Sequence, residues 1–543
     1  MKLRRNNIEK LDDRIFDVVI IGGGINGAVS ASALTTQGAS VALIDKGDFA
    51  NFTSQSSSNL VWGGIKYLES LEFGLVRKLC RGRNHLLKSY PSTVKEIRFL
   101  TTLEKGFRHN RLFVYCGTLL YWLMGNFYTK PPVLLSARGL ELEEPVINTE
   151  NSQGGFEYSD AYLIDNDARF VFNFIRAALS HGGIIANYVE AQESTRDEEG
   201  LWCTRATDRL TGREITIRSK VLLNASGPFA DKYNERCEIK TEHRHLFSKG
   251  IHLLVNPIPQ QRRVLAFFAD DGRLFFVIPL GNRSCIGTTD TRIDNLPPKV
   301  TEEDREFVLS NINKRLNLPK PLTKDDIIAE RCGVRPLVVE PSGSKGDEGD
   351  WTSLSRKHVV EIDLAKRHIS IFGGKLTDCL NVGDEITQAV QLLGITLPHS
   401  GKLWYGEPPD QIRDEFFHQA KLMELDQLTS KESSEALSTR LWRRYGSSAL
   451  YLLEDIRQDP SMAEVLIKGT EYIRCEIQHA ARREMVTKLE DFLRRRSKIA
   501  QVVTYEMIKQ APGLMEACRI LFGKEAEEKY KEYFTEESSK SLS

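Results

Sequence analysis

A glycine-rich turn between two short apolar segments constrains this chain more than any other feature of its sequence. Residues 16–21 (FDVVII) have the length and composition of a buried strand, and they run directly into the turn GGGING. Residues 28–37 are small and compatible with a helix, which Gly38 would end. A second apolar strand follows and ends at Asp45. This order of strand, glycine turn, helix and strand predicts a dinucleotide-binding βαβ unit.

Each glycine of the turn has a physical role in such a unit. Gly22 permits the tight turn, Gly24 lets the backbone approach a pyrophosphate, and Gly27 lets helix and strand pack closely. The N-terminus of the helix offers N–H groups and a partial positive charge to the phosphates. Asp45 is placed to accept hydrogen bonds from the hydroxyls of the adenosine ribose.

The next segment favours FAD over NAD as the dinucleotide. Residues 47–69 read GDFANFTSQSSSNLVWGGIKYLE and combine Ser and Thr hydroxyls with paired glycines. Such a loop can place hydroxyls and backbone N–H groups beside a bound phosphate and ring system, which a nicotinamide enzyme does not need at this point. The candidate residues of this loop are Thr53, Ser54, Ser57, Gly63 and Gly64.

Charge and cysteine content argue against other classes of protein. Lys+Arg and Asp+Glu both number 74, so the chain lacks the net positive charge typical of nucleic-acid binding, and we expect no nucleic-acid partner. The nine cysteines include no CxxC pair, which predicts reduced thiols and no metal site. The first residues lack the apolar core of a signal peptide, so a cytoplasmic location is expected.

From residue 22 onward, successive motifs resemble the FAD-dependent glycerol-3-phosphate dehydrogenases of the aerobic, membrane-associated type. The resemblance implies an α/β fold with an α+β substrate lobe. The FAD-binding domain would be Rossmann-like, of the glutathione-reductase/D-amino-acid-oxidase type, and an all-α domain would follow it. The motifs are GGGINGA, DKGDFA, SSSNLVWGGIKYLE, GFEYSDAYLIDNDARFV, NASGPFAD, KGIHLLV, FFVIPLGNRSCIGTTDT, CGVRPL, SRKHVV and FGGKLTD.

Further FAD-binding residues are implied by the same motifs. In NASGPFAD and FGGKLT, small residues would let the backbone lie against the dinucleotide and the flavin, and a helix beginning near Leu376 would favour an anionic reduced flavin. For Val189, a core position is an equally good interpretation. The residues implied are Asn26, Val189, Ala225, Gly227, Gly373, Gly374, Leu376 and Thr377.

The resemblance also implies a catalytic group and a substrate-binding group. His252 is the candidate general base, Arg335 would polarise the hydroxyl as it becomes a ketone, and Lys375 would lie beside flavin and substrate. His252 and Arg335 could share the proton transfer. The candidates for substrate binding are Lys66, Tyr67 and Arg356, the last as a phosphate clamp. A structural histidine, a core tyrosine and a solvated arginine are the alternatives for His252, Tyr67 and Arg356.

The chain departs from the family's pattern at several positions. Asn59 replaces a lysine, Trp62 a histidine and Lys66 an arginine, and after FGGKLT a basic residue is lost at 378–380. Lys66 keeps the positive charge but lacks the guanidinium group, which can bind a phosphate through two hydrogen bonds at once. These changes leave three hypotheses open: a glycerol-3-phosphate dehydrogenase, a related flavin dehydrogenase or oxidase for another hydroxy or amino compound, and a flavin-binding protein without catalysis.

The domain organisation is predicted from the same family resemblance and from helical patterns in the sequence. Residues 1–400 would form the oxidoreductase domain, with FAD-binding pieces at about 15–80, 165–245 and 360–395 and a substrate lobe at about 80–165 and 245–360. A polar, turn-rich stretch at 341–353 predicts a loop. Residues 405–535 would form a helical domain, and 536–543 an unstructured tail.

Two segments bear on membrane contact. Residues 112–127 are apolar but too short to span a bilayer, which favours a buried helix over a surface that touches lipid. The Arg-rich helical face predicted for 480–496 favours solvent over anionic lipid. By resemblance, the partners would be glycerol 3-phosphate, or a similar phosphorylated polyol, and a membrane quinone. The same comparison implies a peripheral position on the inner face of the cytoplasmic membrane and leaves a homodimer open.

Overall fold

The computed structural model of the protein describes residues 2–12, 14–258, 261–269, 272–339 and 357–541. The predicted loop at 341–353 lies outside these residues. Along the chain the strands are β1 (Ile15–Ile21), β2 (Val41–Ile44), β3 (Leu60–Val61), β4 (Val94–Glu104), β5 (Val133–Leu135), β6 (Ser152–Leu163), β7 (Ile184–Ala186), β8 (Val189–Arg196), β9 (Trp202–Asp208), β10 (Glu214–Asn224), β11 (Arg244–Val255), β12 (Val264–Phe268), β13 (Leu274–Leu280), β14 (Arg283–Gly287), β15 (Thr291–Ile293), β16 (Ile327–Val339), β17 (Val359–Asp363) and β18 (His368–Phe372).

The α-helices alternate with these strands and then form the C-terminal part of the chain. They are α1 (Lys2–Leu11), α2 (Ile25–Thr36), α3 (Phe73–Ser89), α4 (Arg111–Met124), α5 (Ala137–Glu143), α6 (Asp167–Ser180), α7 (Ala230–Arg236), α8 (Glu302–Arg315), α9 (Cys379–Leu392), α10 (Asp410–Leu422), α11 (Leu437–Tyr445), α12 (Ala449–Gln458), α13 (Arg474–Arg483), α14 (Ile499–Val502), α15 (Tyr505–Gln510), α16 (Leu514–Phe522) and α17 (Ala526–Ser541).

The first sheet confirms the predicted βαβ unit and places it at the centre. Its strand order is β17-β18-β10-β1-β2-β7, and β1 pairs in parallel with both β10 and β2. Apolar residues fill β1 and β2, while α2 packs against α6 and α9 over the sheet. The glycine turn therefore leaves the carboxyl edge of a central strand, where ligands bind in sheets of this kind.

The second sheet is formed mainly by strands of the predicted substrate lobe. Its order is β15-β11-β14-β13-β12-β4-β6-β3, with β16 added to β11 and β5 to β6. Residues of α8 and Leu140 of α5 cover one face, and α3 and α4 contribute to the core on the other. The short strand β3 pairs with β6, so the chain enters this sheet by residue 60, earlier than the predicted boundary at about 80.

The C-terminal part is helical, as predicted, and has its own apolar cores. Two predicted details are wrong. The helix expected over 480–496 ends with α13 at Arg483, Met485 has a φ of 51°, and a separate π-helical turn covers Asp491–Arg496. Arg495 and Arg496 of that turn are buried and paired with carboxylates, so they contact neither solvent nor lipid. The tail expected to be unstructured from 536 is helical through Ser541.

Helix α4 also differs from its prediction. We favoured a buried helix for 112–127, but only Thr118, Tyr121 and Met124 of α4 are buried. Leu112, Phe113 and Leu123 expose 57%, 67% and 51% of their surface, so the helix presents an apolar side to the outside. Within the described ranges, no helix combines the length and the apolar character needed to cross a bilayer.

Candidate active site

A long cleft opens where the glycine turn, the loop after β2 and the ends of β10 and β18 meet. Its empty volume is about 1170 Å³. Eleven of the residues that the sequence predicts as cofactor contacts line it: Gly22, Gly24, Asn26, Asp45, Thr53, Ser54, Val189, Ala225, Gly227, Gly373 and Gly374. The structure therefore brings together segments from five separate regions of the chain into one dinucleotide-sized groove.

The three glycines of the turn differ in what surrounds them. A β-carbon on Gly27 would lie 1.9 Å from the carbonyl oxygen of Gly22, so Gly27 is needed for helix–strand packing and does not line the cleft. Gly22 has a φ of 106°, and a β-carbon there would meet the Ala225 carbonyl oxygen at 2.6 Å. Gly24 meets only the Ser54 hydroxyl oxygen, at 3.3 Å, and otherwise faces open space.

Asp45 lies at the end of β2 and lines the cleft. One carboxylate oxygen accepts the Gly23 N–H at 2.6 Å, and the other accepts the Gly47 N–H at 2.8 Å. Burial raises the pKa of Asp45 to about 6, against the opposing effect of these two hydrogen bonds. Each carboxylate oxygen has further acceptor capacity, so Asp45 can hold the turn and a ribose hydroxyl at once.

Two buried polar atoms of the cleft have no hydrogen-bond partner among the described residues. They are the Asn26 side-chain oxygen and the Thr53 hydroxyl. The Asn26 amide nitrogen donates to the Gly373 carbonyl at 3.1 Å, which directs its oxygen to a site beside Gly374. Buried polar atoms are rarely left unpaired. Together with the open space at Gly24, these atoms fit a bound dinucleotide.

Five other predicted cofactor residues lie outside the cleft lining. The Ser57 N–H donates to Asp167, and the Gly63 N–H donates to Asp160. A β-carbon on Gly63 would lie 2.2 Å from the Tyr121 hydroxyl oxygen, so a protein contact already explains this glycine. The five residues are Ser57, Gly63, Gly64, Leu376 and Thr377.

A second group of predicted residues lies on the paired strands β11 and β16. Antiparallel register places His252 opposite Arg331 and Ser248 opposite Arg335, with Gly250 opposite Gly333 between them. We call the face that carries these six side-chain positions the β11/β16 face. A β-carbon on Gly333 would lie 2.8 Å from the Ser56 carbonyl oxygen, so this face is turned toward the loop that follows β2.

His252 is buried, and neither ring nitrogen has a hydrogen-bond partner among the described residues. Burial, with a smaller contribution from the positive charges of Arg331 and Arg335, lowers the pKa of His252 to about 3. The imidazole is therefore neutral in the free protein and can accept a proton. A satisfied structural histidine, the alternative for this position, would have a partner for at least one ring nitrogen.

Arg335 is held by the strands around it. Its guanidinium forms an ion pair with Asp290 at 3.1 Å, donates to the Thr288 hydroxyl at 2.9 Å, and lies directly over Gly250. Arg331 was not among the predicted residues. It is buried, donates to the Ser57 carbonyl at 2.9 Å, and so connects the β11/β16 face to the loop after β2. Strand alternation could have found it, since it shares a face with Arg335.

Lys375 and Tyr67 are brought together, as a shared site requires. The Lys375 ammonium donates to the Tyr67 hydroxyl at 2.7 Å and lies 4.0 Å from the centre of its ring. Lys66 is exposed and borders a different, apolar cavity, so the structure does not place it with Lys375. Arg356, the predicted phosphate clamp, lies outside the described residues.

The departures from the family's pattern have structural partners of their own. The Asn59 side-chain oxygen accepts a hydrogen bond from Arg331 at 2.7 Å, and the Trp62 indole donates to the Tyr158 hydroxyl at 3.2 Å. Asp378 is bonded to His358 at 2.6 Å, away from the cleft lining. Each of these three residues is therefore held by a hydrogen bond within the protein, and none lines the cleft.

Two family profiles match the chain. The family described as FAD dependent oxidoreductase matches residues 17–350. This range includes the β11/β16 face and the residues that line the cleft from Ile21 to Pro336. The C-terminal domain of alpha-glycerophosphate oxidase matches residues 386–529.

Individual relatives agree with these profiles. The chain is 30% identical over 502 residues to glycerol-3-phosphate dehydrogenase 2 of Mycobacterium bovis, covering 91% of this chain and 82% of the relative. It is also 30% identical over 515 residues to the aerobic glycerol-3-phosphate dehydrogenase of Staphylococcus epidermidis, covering 91% and 89%. The fold is similar to that of the glycerol-3-phosphate dehydrogenase from Bacillus halodurans, solved complexed with FAD, with a TM-score of 0.73, 24% identity, and 99% and 97% of the two chains covered.

Proposed function

Because this chain belongs to the FAD-dependent oxidoreductases and, within them, to the glycerol-3-phosphate dehydrogenase family, we propose that it oxidises sn-glycerol 3-phosphate to dihydroxyacetone phosphate. The observation that carries this proposal is the 30% identity to named glycerol-3-phosphate dehydrogenases over 91% of the chain. The matched oxidoreductase profile, residues 17–350, includes the β11/β16 face and all the residues that line the cleft except Gly373 and Gly374. When bound, FAD supplies the two-electron acceptor for the hydride that leaves the carbinol carbon.

The protein's own residues would bind the substrate and take its proton. His252 accepts the proton of the hydroxyl group, since its buried imidazole is neutral. Arg335 stabilises the oxygen as negative charge develops on it, because a guanidinium retains its charge at neutral pH. Lys375, which donates a hydrogen bond to Tyr67, supplies a positive charge for the substrate phosphate.

Substrate binding would also prepare the base. A pKa of about 3 makes His252 a weak proton acceptor in the free protein, and part of that depression comes from Arg331 and Arg335. A bound phosphate dianion would offset these positive charges and raise the pKa of His252 toward the working pH. The proton acceptor would therefore be strongest when the substrate is in place.

For the electron acceptor we propose a membrane quinone reached from one side of the bilayer. An apolar cavity of about 1470 Å³ lies between α4 and the second sheet, with Lys66 at its edge. The exposed apolar side of α4 adjoins it, since Phe113 and Leu120 belong to both. An apolar surface beside an apolar cavity suits a lipid-soluble acceptor at the inner face of the cytoplasmic membrane.

A homodimer stays a prediction of the family resemblance.

The function is tested by following the flavin absorbance of the purified protein without oxygen. Glycerol 3-phosphate is expected to bleach the oxidised flavin rapidly, and a quinone analogue should restore it. Bleaching only by other hydroxy or amino compounds would replace the proposed substrate. No bleaching by any of them, in a protein that binds FAD, would support a non-catalytic role.

Replacing Tyr67 with phenylalanine is expected to raise the KM for glycerol 3-phosphate about threefold to tenfold. The change removes the 2.7 Å hydrogen bond from Lys375, and a single hydrogen bond of this kind contributes about 0.5–1.5 kcal/mol. The ring that faces the ammonium is kept, so the fold should not change. Steady-state kinetics measure the effect, with Tyr451→Phe on an exposed tyrosine as the control. Equal KM values in the two variants would remove Tyr67 from the substrate site.

Replacing Phe113 with serine is expected to lower binding to lipid vesicles by about tenfold or more. Phe113 is 67% exposed, and burying one large apolar side chain contributes about 1.5–3 kcal/mol. Co-sedimentation with vesicles of phosphatidylglycerol and phosphatidylcholine measures it. Leu422→Ser is the matched control, because Leu422 is 68% exposed but lies on α10. If both variants bind vesicles as the unchanged protein does, α4 is not the membrane contact.

A further inference from the structure

We propose that Arg494, Arg495 and Arg496 of the C-terminal helical domain position the cofactor-binding loop formed by residues 48–55. The C-terminal domain would then be part of the FAD site, although it contributes no residue to the lining of the cleft. This inference depends on FAD binding in the cleft and does not depend on the identity of the substrate.

The first contact fixes the beginning of the loop. One oxygen of Asp48 accepts hydrogen bonds from Arg495 at 2.7 Å and Arg496 at 2.8 Å, and the other accepts a second bond from Arg496 at 2.8 Å. Asn187 also donates to Asp48, at 2.9 Å. Asp48, Arg495 and Arg496 are all buried, so solvent does not weaken these charge-assisted bonds.

The second contact fixes the end of the loop. Arg494 donates to the Gln55 carbonyl at 2.7 Å, and Arg495 donates to the Gln55 side-chain oxygen at 3.2 Å. The Gln55 amide in turn donates to the Asn51 carbonyl at 2.8 Å. Of the residues between these two anchors, 50–54 line the cleft. Three consecutive arginines therefore hold both ends of a segment that faces the dinucleotide.

The turn Asp491–Arg496, which we call the arginine turn, is itself fixed by a buried carboxylate. Asp491 accepts the N–H groups of Thr487 and Lys488 at 2.8 and 2.9 Å with one oxygen. With the other it binds Arg495 at 2.7 Å and the Tyr188 hydroxyl at 2.7 Å. The segment Asp491–Arg496 is a π-helical turn, a rare conformation that occurs frequently at functional sites. Asp491 therefore holds Arg495 through contacts that do not involve the loop.

The charges at this contact depend on each other. Burial alone would raise the pKa of Asp48, but the positive charges of Arg496 and Arg495 outweigh burial and hold the pKa below its usual value. Removing the negative charge of Asp48 would leave two buried guanidinium groups with fewer partners. The loop would then lose its preferred position against the arginine turn.

The decisive experiment compares two buried carboxylates at the boundary between the domains. Asp48→Asn removes the charge that anchors the loop. Asp165→Asn removes the charge that pairs with Arg443 at 2.6 Å and with Arg444 at 2.7 Å, at a position outside the loop. For each full-length apoprotein, the FAD dissociation constant is measured by fluorescence titration and the stability by thermal unfolding. We expect both variants to unfold at lower temperature, but only Asp48→Asn to weaken FAD binding, by about tenfold.

A second pair keeps the test usable if Asp48→Asn does not fold. Arg494→Lys keeps the charge but loses the guanidinium that reaches Gln55, whereas Arg482→Lys changes an exposed arginine of the same domain. Weaker FAD binding in Arg494→Lys alone supports the proposal. Unchanged FAD binding in Asp48→Asn and Arg494→Lys, or an equal loss in each variant and its control, would overturn it.

Discussion

Replacing His252 with asparagine is expected to slow reduction of the bound flavin by glycerol 3-phosphate by about a hundredfold to ten-thousandfold. This is the usual contribution of a positioned general base. Asparagine is polar and of similar size, but it cannot accept a proton near neutral pH. His252 does not line the cofactor cleft, so the variant should keep its flavin. Stopped-flow measurement without oxygen separates the loss of reduction from any loss of FAD.

The matched control for this change is His368→Asn. His368 is also buried, its Nε2 likewise has no partner among the described residues, and burial lowers its pKa to about 4. It lies on β18 beside Trp202, outside the lining of the cleft. A slow His252→Asn and an unaffected His368→Asn would assign the proton transfer to His252. Similar rates in both variants would transfer that role to another group.

The pH dependence gives a second readout for His252. A histidine accepts a proton only when it is neutral, so the rate of flavin reduction should rise with pH through its pKa in the substrate complex. That pKa should lie above the value of about 3 in the free protein, because the bound phosphate offsets the charges of Arg331 and Arg335. The rise should disappear in His252→Asn, since asparagine does not titrate in this range. A rise that persists in the variant would belong to a different group.

The cofactor half of the site was predictable because its signals are local. The glycine turn, the strand before it and Asp45 lie within one short βαβ unit, where spacing alone fixes the geometry. Gly63 shows the limit of this reasoning. It belongs to a glycine pair that resembles a flavin contact, yet the Tyr121 hydroxyl that requires it is supplied by α4. A glycine indicates that something approaches closely, without indicating what.

The buried charges of the C-terminal domain were not predictable for a related reason. Helical periodicity places Arg494–Arg496 beside polar neighbours, and such a face is usually solvated. Asp48, the partner of Arg495 and Arg496, is 448 positions away from Arg496 in sequence. Burial of an arginine depends on whether a carboxylate meets it in the folded protein, and no pattern within the helix contains that information. The exposed apolar side of α4 was the less favoured of two interpretations, because exposure depends on what packs against a helix.

Replacing Gly24 with valine is expected to weaken FAD binding by about a hundredfold while the protein still folds. The backbone at Gly24 is extended, with φ −72° and ψ −173°, which any residue can adopt. A β-carbon there meets only the Ser54 hydroxyl oxygen, at 3.3 Å, so the added methyl groups extend into the cleft where the pyrophosphate would lie. Overpacking costs about 1–3 kcal/mol, and each 1.4 kcal/mol corresponds to a tenfold change in affinity.

Gly27→Ala separates this effect from damage to the fold. Its single methyl group would lie 1.9 Å from the Gly22 carbonyl oxygen, a backbone atom that cannot move without displacing the turn. We therefore expect Gly27→Ala to lower the unfolding temperature of the apoprotein, and Gly24→Val to leave it nearly unchanged. Gly24→Ala should fall between valine and glycine in FAD affinity, because one methyl group fills less of the cleft. If Gly24→Val bound FAD as tightly as the unchanged protein, the pyrophosphate could not lie along the first turn of α2.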